Sequence, residues 1–319
     1  MYQEDVLGYS VLREHDLEKI HEATLDIMED YGIKVDAKDA REIYEAAGCT
    51  VDPETHRVKF PRKLVNDAIQ STPGEILLAG RDPKNDVKLS GKKVIFKNFA
   101  TGVQVIDPET QVLRDSTKED LGNIARFCEA LDEVGYFTLA VAANDIDPEI
   151  RDLYEAEVVL NNTTKHFSHD THSPKSARQF IEMAAAIVGG KEKLRERPIV
   201  SLGTCPVSPL TLIEDCTDQI KAAAEVGIPI NILSMGLAGG TTPVTLAGTL
   251  VVTNAEILAG VVFSQLINKG NPVIYGTSNT IMDMRFTTSP VGAPEQALFS
   301  AAVGQIGHYY EIPTQVGGT

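Results

Sequence analysis

Residues 166–172 read His-Phe-Ser-His-Asp-Thr-His, placing three imidazoles and a carboxylate within seven positions. Two chemistries draw on such a set. Neutral imidazoles and carboxylate oxygens are ordinary ligands for a divalent cation, and histidine is the side chain that titrates near neutrality and so moves protons. The run reads as a short strand. Alternation along a strand sends His166 and His169 to opposite faces, so one metal would reach both only if the backbone bent. The reading is therefore of hydrogen-bonding histidines, with no metal, and with His166, His169 and Asp170 as the candidate acid–base residues.

Other chemistry-bearing positions are weaker. Ser234 to Gly240 lead through a glycine loop into a helix expected to start at Thr242 and Pro243, where free N–H groups would receive an anion. The competing reading is a tight turn that glycine alone permits. Cys205 precedes Pro206 with no base legible beside it, and an inert thiol is the simpler reading. Cys49, Cys128, Cys205 and Cys216 have no Cys-x-x-Cys spacing, which argues against a zinc knuckle or a disulfide framework. A barrel lyase or aldolase would need a lysine near a strand, and Lys165 is the candidate the sequence offers.

These residues need a frame to bring them together. Helical spacing over 18–31 stops at Gly32, a second helix over 38–47 stops at Gly48, and "PRKLVNDAIQSTP" gives a third with Pro61 at its first position and Pro73 beyond its end. Strand-like pieces follow over 75–113, with Asp107-Pro108-Glu109-Thr110 as a hairpin turn. Ser116 three residues before Glu119 has the spacing of a capping box. Residues 1–115 thus read as an N-terminal α+β cap.

From Tyr136 the pattern becomes a regular alternation of apolar strands and helices, the mark of parallel βαβ units. The strands are "YFTLAVAA", "KHFSHD", "PIVSLGT", "PINILSM", "PVIYGT" and "PTQVGGT". Six strands fit an open sheet or part of a barrel. The absence of a Gly-x-Gly-x-x-Gly turn after the first strand favours an α/β fold of the (β/α)8 barrel type, incomplete over 116–319, with about six of eight strands. Sites in such barrels lie at the carboxyl ends of the strands. The substrate-binding candidates there are Asp145, Phe167, Thr204, Ser234, Tyr275, Thr277, Gln315, Gly317 and Gly318.

The chain has 319 residues, a formal charge of −16 and 43% apolar residues. Acidity without a basic stripe argues against nucleic acid. No uninterrupted apolar run approaches the ~20 residues of a membrane span, and the first twenty residues do not resemble a signal peptide. The expectation is a cytoplasmic protein. The long apolar stretch 242–269 is expected to be a helix held between the barrel and a neighbouring subunit of a homo-oligomer, a trimer or hexamer.

The residues "CPVSPL", "ILSMGLAGGTTPVTLAGTLVVTNAEILAGVVFSQL", "YGTSNTIMD" and "SPVGAPEQALFSAAVGQIGHYYEIP", with "TTKHFSHD", "FATGV" and "GRDP" before them, resemble the trimethylamine:corrinoid methyltransferase superfamily along nearly the whole chain. The resemblance implies a (β/α)8 barrel that passes a methyl group from a methylated amine to a cobalt corrinoid held, as Co(I), by a separate partner protein. It also implies pyrrolysine at the barrel mouth, just after the strand similar to "EIPTQVGG", so that Thr319 stands directly before that position or at it. The chain is then expected to be cut off at an amber codon. Superfamily members without pyrrolysine act on quaternary amines such as betaines. A cationic amine calls for aromatic faces, from Tyr136, Phe167, Tyr275 or Phe286, and for an acid, from Asp145, Asp170 or Asp283. A lyase or an inactive fragment is the remaining reading.

Overall fold

The computed structural model describes residues 10–91 and 93–317. The chain folds as two compact units, each assembled from segments distant in sequence. The first comprises 1–73, 205–217 and 231–319, and the second comprises 74–204 and 218–230. The segment read from sequence as one cap over 1–115 is therefore shared between the units at Pro73/Gly74.

In the first unit, α1 (Glu14–Asp26) runs on as a π turn, Ile27–Tyr31, and stops at Gly32 with φ +81°. A Cβ at Gly32 would stand 2.6 Å from Val58 O, so both the backbone angle and the close approach require glycine. Helices α2 (Lys38–Ala46) and α3 (Arg62–Ser71) follow, with Pro61 at the N-cap of α3 rather than inside it. Further along the same unit come α9 (Leu246–Ile267) and α10 (Pro294–Tyr309).

Helix α9 corrects one expectation. Its 22 residues are long and apolar enough to cross a membrane by length and composition, yet 78% of its most apolar window is buried within the chain. It packs against α1, α2, α3 and α10, which supply the cover assigned from sequence to a neighbouring subunit. Polar residues inside the helix are tied down. Asn254 donates to Thr24 Oγ1 at 3.0 Å and to Tyr310 Oη at 2.8 Å, and accepts from Tyr275 Oη at 2.7 Å. A helix buried all round has no reason to be amphipathic.

In the second unit, α4 (Lys118–Glu129) starts with a capping box made by Thr117 and Asp120, one residue beyond the expected Ser116/Glu119 pair. Ser116 is instead buried and donates to Ala142 O at 2.7 Å. Helices α5 (Arg151–Asn162), α6 (Pro174–Val188), α7 (Lys191–Glu196) and α8 (Glu214–Val226) come next, the last lying mostly in this unit.

Seven parallel strands alternate with these helices, one more than the six marked from sequence. They are β1 (Phe96–Lys97), β2 (Val134–Thr138), β3 (Phe167–His169), β4 (Val200–Thr204), β5 (Ile230–Ser234), β6 (Val273–Thr277) and β7 (Thr314–Val316). The second unit carries the order β4-β3-β2-β1, and the first carries β7-β6-β5. The added strand, β1, is two residues long and lies parallel to β2. Asn98 prolongs it by clasping the Thr138 backbone, accepting from its N–H and donating to its C=O, both at 2.8 Å. Two residues carry too little periodicity to be read as a strand. The hairpin at Asp107–Thr110 forms as expected, between strands Gln104–Ile106 and Leu113–Asp115. The fold is α/β, of the (β/α)8 barrel type.

Candidate functional site

The two faces of β3 do different work. Phe167 and His169 point to the helices: His169 stacks on Phe167 with ring centroids 5.2 Å apart and meets Phe180 of α6 edge-on at 5.3 Å. His166 and Asp170 therefore face the inner side of the sheet, as period two demands. On that side His166 Nε2 bonds Ser201 Oγ of β4 at 2.9 Å, and Nδ1 bonds Pro198 O at 2.9 Å. With both nitrogens engaged and the ring sealed from water, burial holds His166 neutral, its pKa lowered to about 4.

Asp170 is solvent-accessible although protein surrounds it closely on the inner face. That crowding raises its pKa, against the charges of Lys97 and His172, which lower it. Gly203 of β4 makes its position possible. A Cβ there would lie 1.9 Å from Asp170 Oδ1. Lys97 of β1 is half-buried, and its own pKa falls for the same reason, with Asp170 pulling the other way. Tyr136 of β2, buried and 6.3 Å from the His166 ring, completes the set; desolvation, then the nearby Asp170 charge, hold its phenol protonated. The arrangement offers an accessible carboxyl that binds a proton more readily than usual, a nearby cation and a wall of neutral hydrogen-bonding groups.

The helix-facing side holds a second polar cluster. Asp152 of α5 accepts from His172 twice, at 2.8 Å from the backbone N–H and at 2.6 Å from Nδ1. Burial works to raise the pKa of Asp152, but the His172 bonds outweigh it and bring it to about 2, while His172 is raised by the same contact. Glu155, one turn on, accepts from Ala143 N at 2.8 Å, and burial lifts its pKa to about 7. His169 is neutral, at about 4, for reasons of burial.

Other residues chosen from sequence lie elsewhere. Phe167 is fully buried between Phe137, His169 and Phe180, so it presents no face to a ligand on the inner side. Asp145 accepts from Lys118 N at 2.7 Å and so caps α4. Asp283 accepts from Arg285 and Phe286 N–H groups in an Asx turn, with Phe286 exposed. Lys165 is at the opposite end of β3, its ammonium donating to Cys128, Leu131 and Val134 carbonyls at 2.8, 2.6 and 2.6 Å, which rules out a free amine nucleophile there. Thr204 is buried at the end of β4, and Cys205 is exposed.

In the first unit, Ser234 donates to Glu256 Oε2 at 2.6 Å, the Tyr275 hydroxyl is spent on Asn254, and Thr277 Oγ1 accepts from Asn279 N at 3.2 Å. Gln315 is partly exposed on β7, and Gly317 N bonds Thr277 O at 3.2 Å. Gly318 and Thr319 lie outside the described residues. The glycine loop is a turn: Gly239 takes φ +85°, and the N–H groups of 239–242 bond carbonyls of the same loop. The helix beyond starts at Leu246 with Thr245 as N-cap, so Thr242 and Pro243 are not its first turn.

An open groove of about 440 Å³ is lined by Lys118, Glu119, Gly122, Arg126, Asp145 and Val158. Lys118 pairs with Glu157, Asp145 caps α4 and Arg126 donates to Asn162 Oδ1, and the candidate site is instead the inner face, where the accessible Asp170 stands near Lys97. Sequence reasoning missed Lys97, Tyr136 as a neighbour of His166, and Gly203. The glycine in "SLGTC" was a signal, since small residues at strand ends often mark a close approach.

A family profile described as "Trimethylamine methyltransferase (MTTB)" matches residues 2–319. The chain is 45% identical over 311 residues to a protein named trimethylamine methyltransferase MttB of Desulfitobacterium hafniense, covering 98% of this chain and 63% of that protein. It is 40% identical to MttB of Methanosarcina barkeri, covering 95% and 62%. It is 33% identical to a glycine betaine methyltransferase of Desulfitobacterium hafniense, covering 97% and 64%. The chain thus spans less than two thirds of the length of these relatives. Among solved structures, the monomethylamine methyltransferase MtmB of Methanosarcina barkeri superposes with a TM-score of 0.58 at 13% identity, over 94% of this chain and 66% of that one, a likeness of fold.

Proposed function

This chain belongs to the trimethylamine methyltransferase (MTTB) family, and from that premise we propose that it moves a methyl group from a methylated amine, trimethylamine foremost, to the cobalt of a corrinoid carried by a separate protein. The observation that carries the reading to a site is the Asp170 carboxyl, accessible on the inner face and given room by Gly203. Methyl transfer breaks a C–N bond and forms a Co–C bond. The electron pair stays on nitrogen, which takes a proton to leave as a secondary amine. Asp170, with its raised pKa, is suited to hold that proton at the amine, and Lys97 keeps the pair near neutrality. Tyr136 and His166 contribute an uncharged wall that excludes water and orients the amine. The corrinoid is the acceptor and supplies the cobalt nucleophile. The same reading entails a corrinoid-protein partner, a homo-oligomeric enzyme and a cytoplasmic location.

The test is corrinoid methylation followed by absorbance, with trimethylamine and the partner protein. Asp170→Asn is expected to lower kcat roughly 100-fold or more, the range of a lost general acid, with the far-UV spectrum unchanged. Undiminished kcat in that variant would refute the assignment. The similarity to a glycine betaine methyltransferase supports a second reading, a quaternary-amine substrate. There nitrogen leaves as a neutral tertiary amine and needs no proton, so Asp170→Asn would spare kcat and change KM alone.

A further inference from the structure

We propose that Asp152, Glu155 and His169 form a binding site for a first-row divalent cation of the Zn2+ class, on the helix-facing side of β3 and separate from the inner face. Asp152 and Glu155 are one turn apart on α5 and project to the same side of it, where His169 of β3 meets them. One ligand-capable atom from each lies within 4.8 Å of the other two, and Glu155 Oε2 is 4.0 Å from His169 Nε2. The three side chains are 3%, 0% and 0% exposed.

What singles the cluster out is its unfinished bonding. Glu155 Oε2 is buried without a hydrogen-bond partner, and the His169 nitrogen that faces it, Nε2, has a long 3.2 Å contact to Asp152 O that an ion would replace. A bare carboxylate oxygen out of water is costly, and above the pH at which Glu155 holds a proton a bound cation removes that cost. Arg151 makes no hydrogen bond to that oxygen, since its Nη2 donates to Ile146 O at 3.4 Å and its charge reaches Glu155 only through space. His172 is spent on Asp152.

The surroundings are those of a ligand set held in place. Metal-binding carboxylates are typically fixed by outer hydrogen bonds. Here His172 fixes Asp152, and Ala143 N fixes Glu155 through Oε1, leaving Oε2 toward the cluster. The His169 ring is fixed by Phe167 and Phe180. Two carboxylate oxygens and one imidazole nitrogen form a mixed O/N set that suits Zn2+, Mn2+ or Fe2+ better than the all-oxygen shells of Ca2+ or Mg2+. Such an ion would tie α5 to β3 immediately behind Asp170, a structural role whose readout does not depend on methyl transfer.

The experiment uses the purified protein stripped with EDTA, exposed to ZnCl2 alone, desalted and analysed for metal. About one Zn2+ per chain is expected to remain, with a raised thermal midpoint, as binding to the folded state requires. Glu155→Gln and His169→Gln are each expected to lose most of that metal, while Cys205→Ser retains it. Co2+ in place of Zn2+ should give visible d–d bands without thiolate charge transfer, an independent check if either variant fails to fold. No retained metal in the wild type, a thiolate spectrum with Co2+, or full retention in both cluster variants would overturn the proposal.

Discussion

Two glutamates, one in each unit, are equally buried and differ in how their charge is met. Glu256 of α9 accepts from Leu210 N through Oε1 at 2.8 Å, and from Ser208 and Ser234 hydroxyls through Oε2 at 2.8 and 2.6 Å. Glu155 of α5 has one donor on Oε1 and none on Oε2. The histidines of β3 divide in the same way: both nitrogens of His166 are bonded, while His169 keeps one unpartnered. A buried polar group whose partners are complete is a fastener, because removing it orphans several others at once. A buried polar group left incomplete carries a desolvation cost instead, one that a proton or a bound cation would remove.

The sharpest way to break this comparison is to remove the complete member. Glu256→Ala would leave a cavity and three donors without an acceptor, two of them buried and Ser208 half-buried, and should cost about 4 kcal/mol in urea denaturation. A loss below ~1 kcal/mol would show that the three bonds carry no net stability.

His166 gives the next largest effect, through pH. Its folded-state pKa is lowered to about 4, against 6.5 for a free histidine. Between those values the unfolded chain binds a proton that the folded chain refuses, so stability falls as pH drops from 6.5 towards 4, by up to about 3 kcal/mol. Above pH 6.5 this contribution is constant. His169, lowered to about 4 by its own burial, adds a limb of the same sign, so replacing His166 with Asn should reduce the slope by about half in denaturation measured at pH 7, 6 and 5.

On the inner face, Gly203→Ala should displace Asp170, since the added Cβ overlaps its carboxylate. The expected stability cost is about 1–2 kcal/mol, with a loss of methyl transfer of at least ~10-fold from misplacement. Activity intact in Gly203→Ala would detach Asp170 from the reaction.

The smallest change belongs to the incomplete carboxylate. Its folded pKa, raised to about 7 from 4.5, means the folded state keeps a proton that the unfolded chain releases, so stability declines as pH rises from 4.5 to 7. In EDTA-treated protein at pH 8, Glu155→Gln should therefore be neutral or stabilising by about 1 kcal/mol. A marked loss under those conditions would make Glu155 a fastener like Glu256.

Much of the frame is legible in the amino-acid order alone. Period two in "KHFSHD" is enough to separate His166 from His169, because side-chain alternation is a local property of a strand. Gly32 and Gly48 stop their helices as read, because a positive φ is also local. The six longer strands and the helices between them follow from patterns that repeat over a few residues. What the sequence could not supply is what depends on contacts between distant segments. Strand β1 exists because Asn98 and β2 hold two residues extended. Asp145 looked like a site acid and caps a helix 27 positions away in sequence. Helix α9 looked in need of a subunit neighbour and is covered by helices of its own unit. Asp152 and Glu155 offered no signal near "HFSHDTH", since only the packing of α5 on β3 brings them beneath His169. Spacing along the chain fixes which way a side chain points; only the packed structure decides what stands there to meet it.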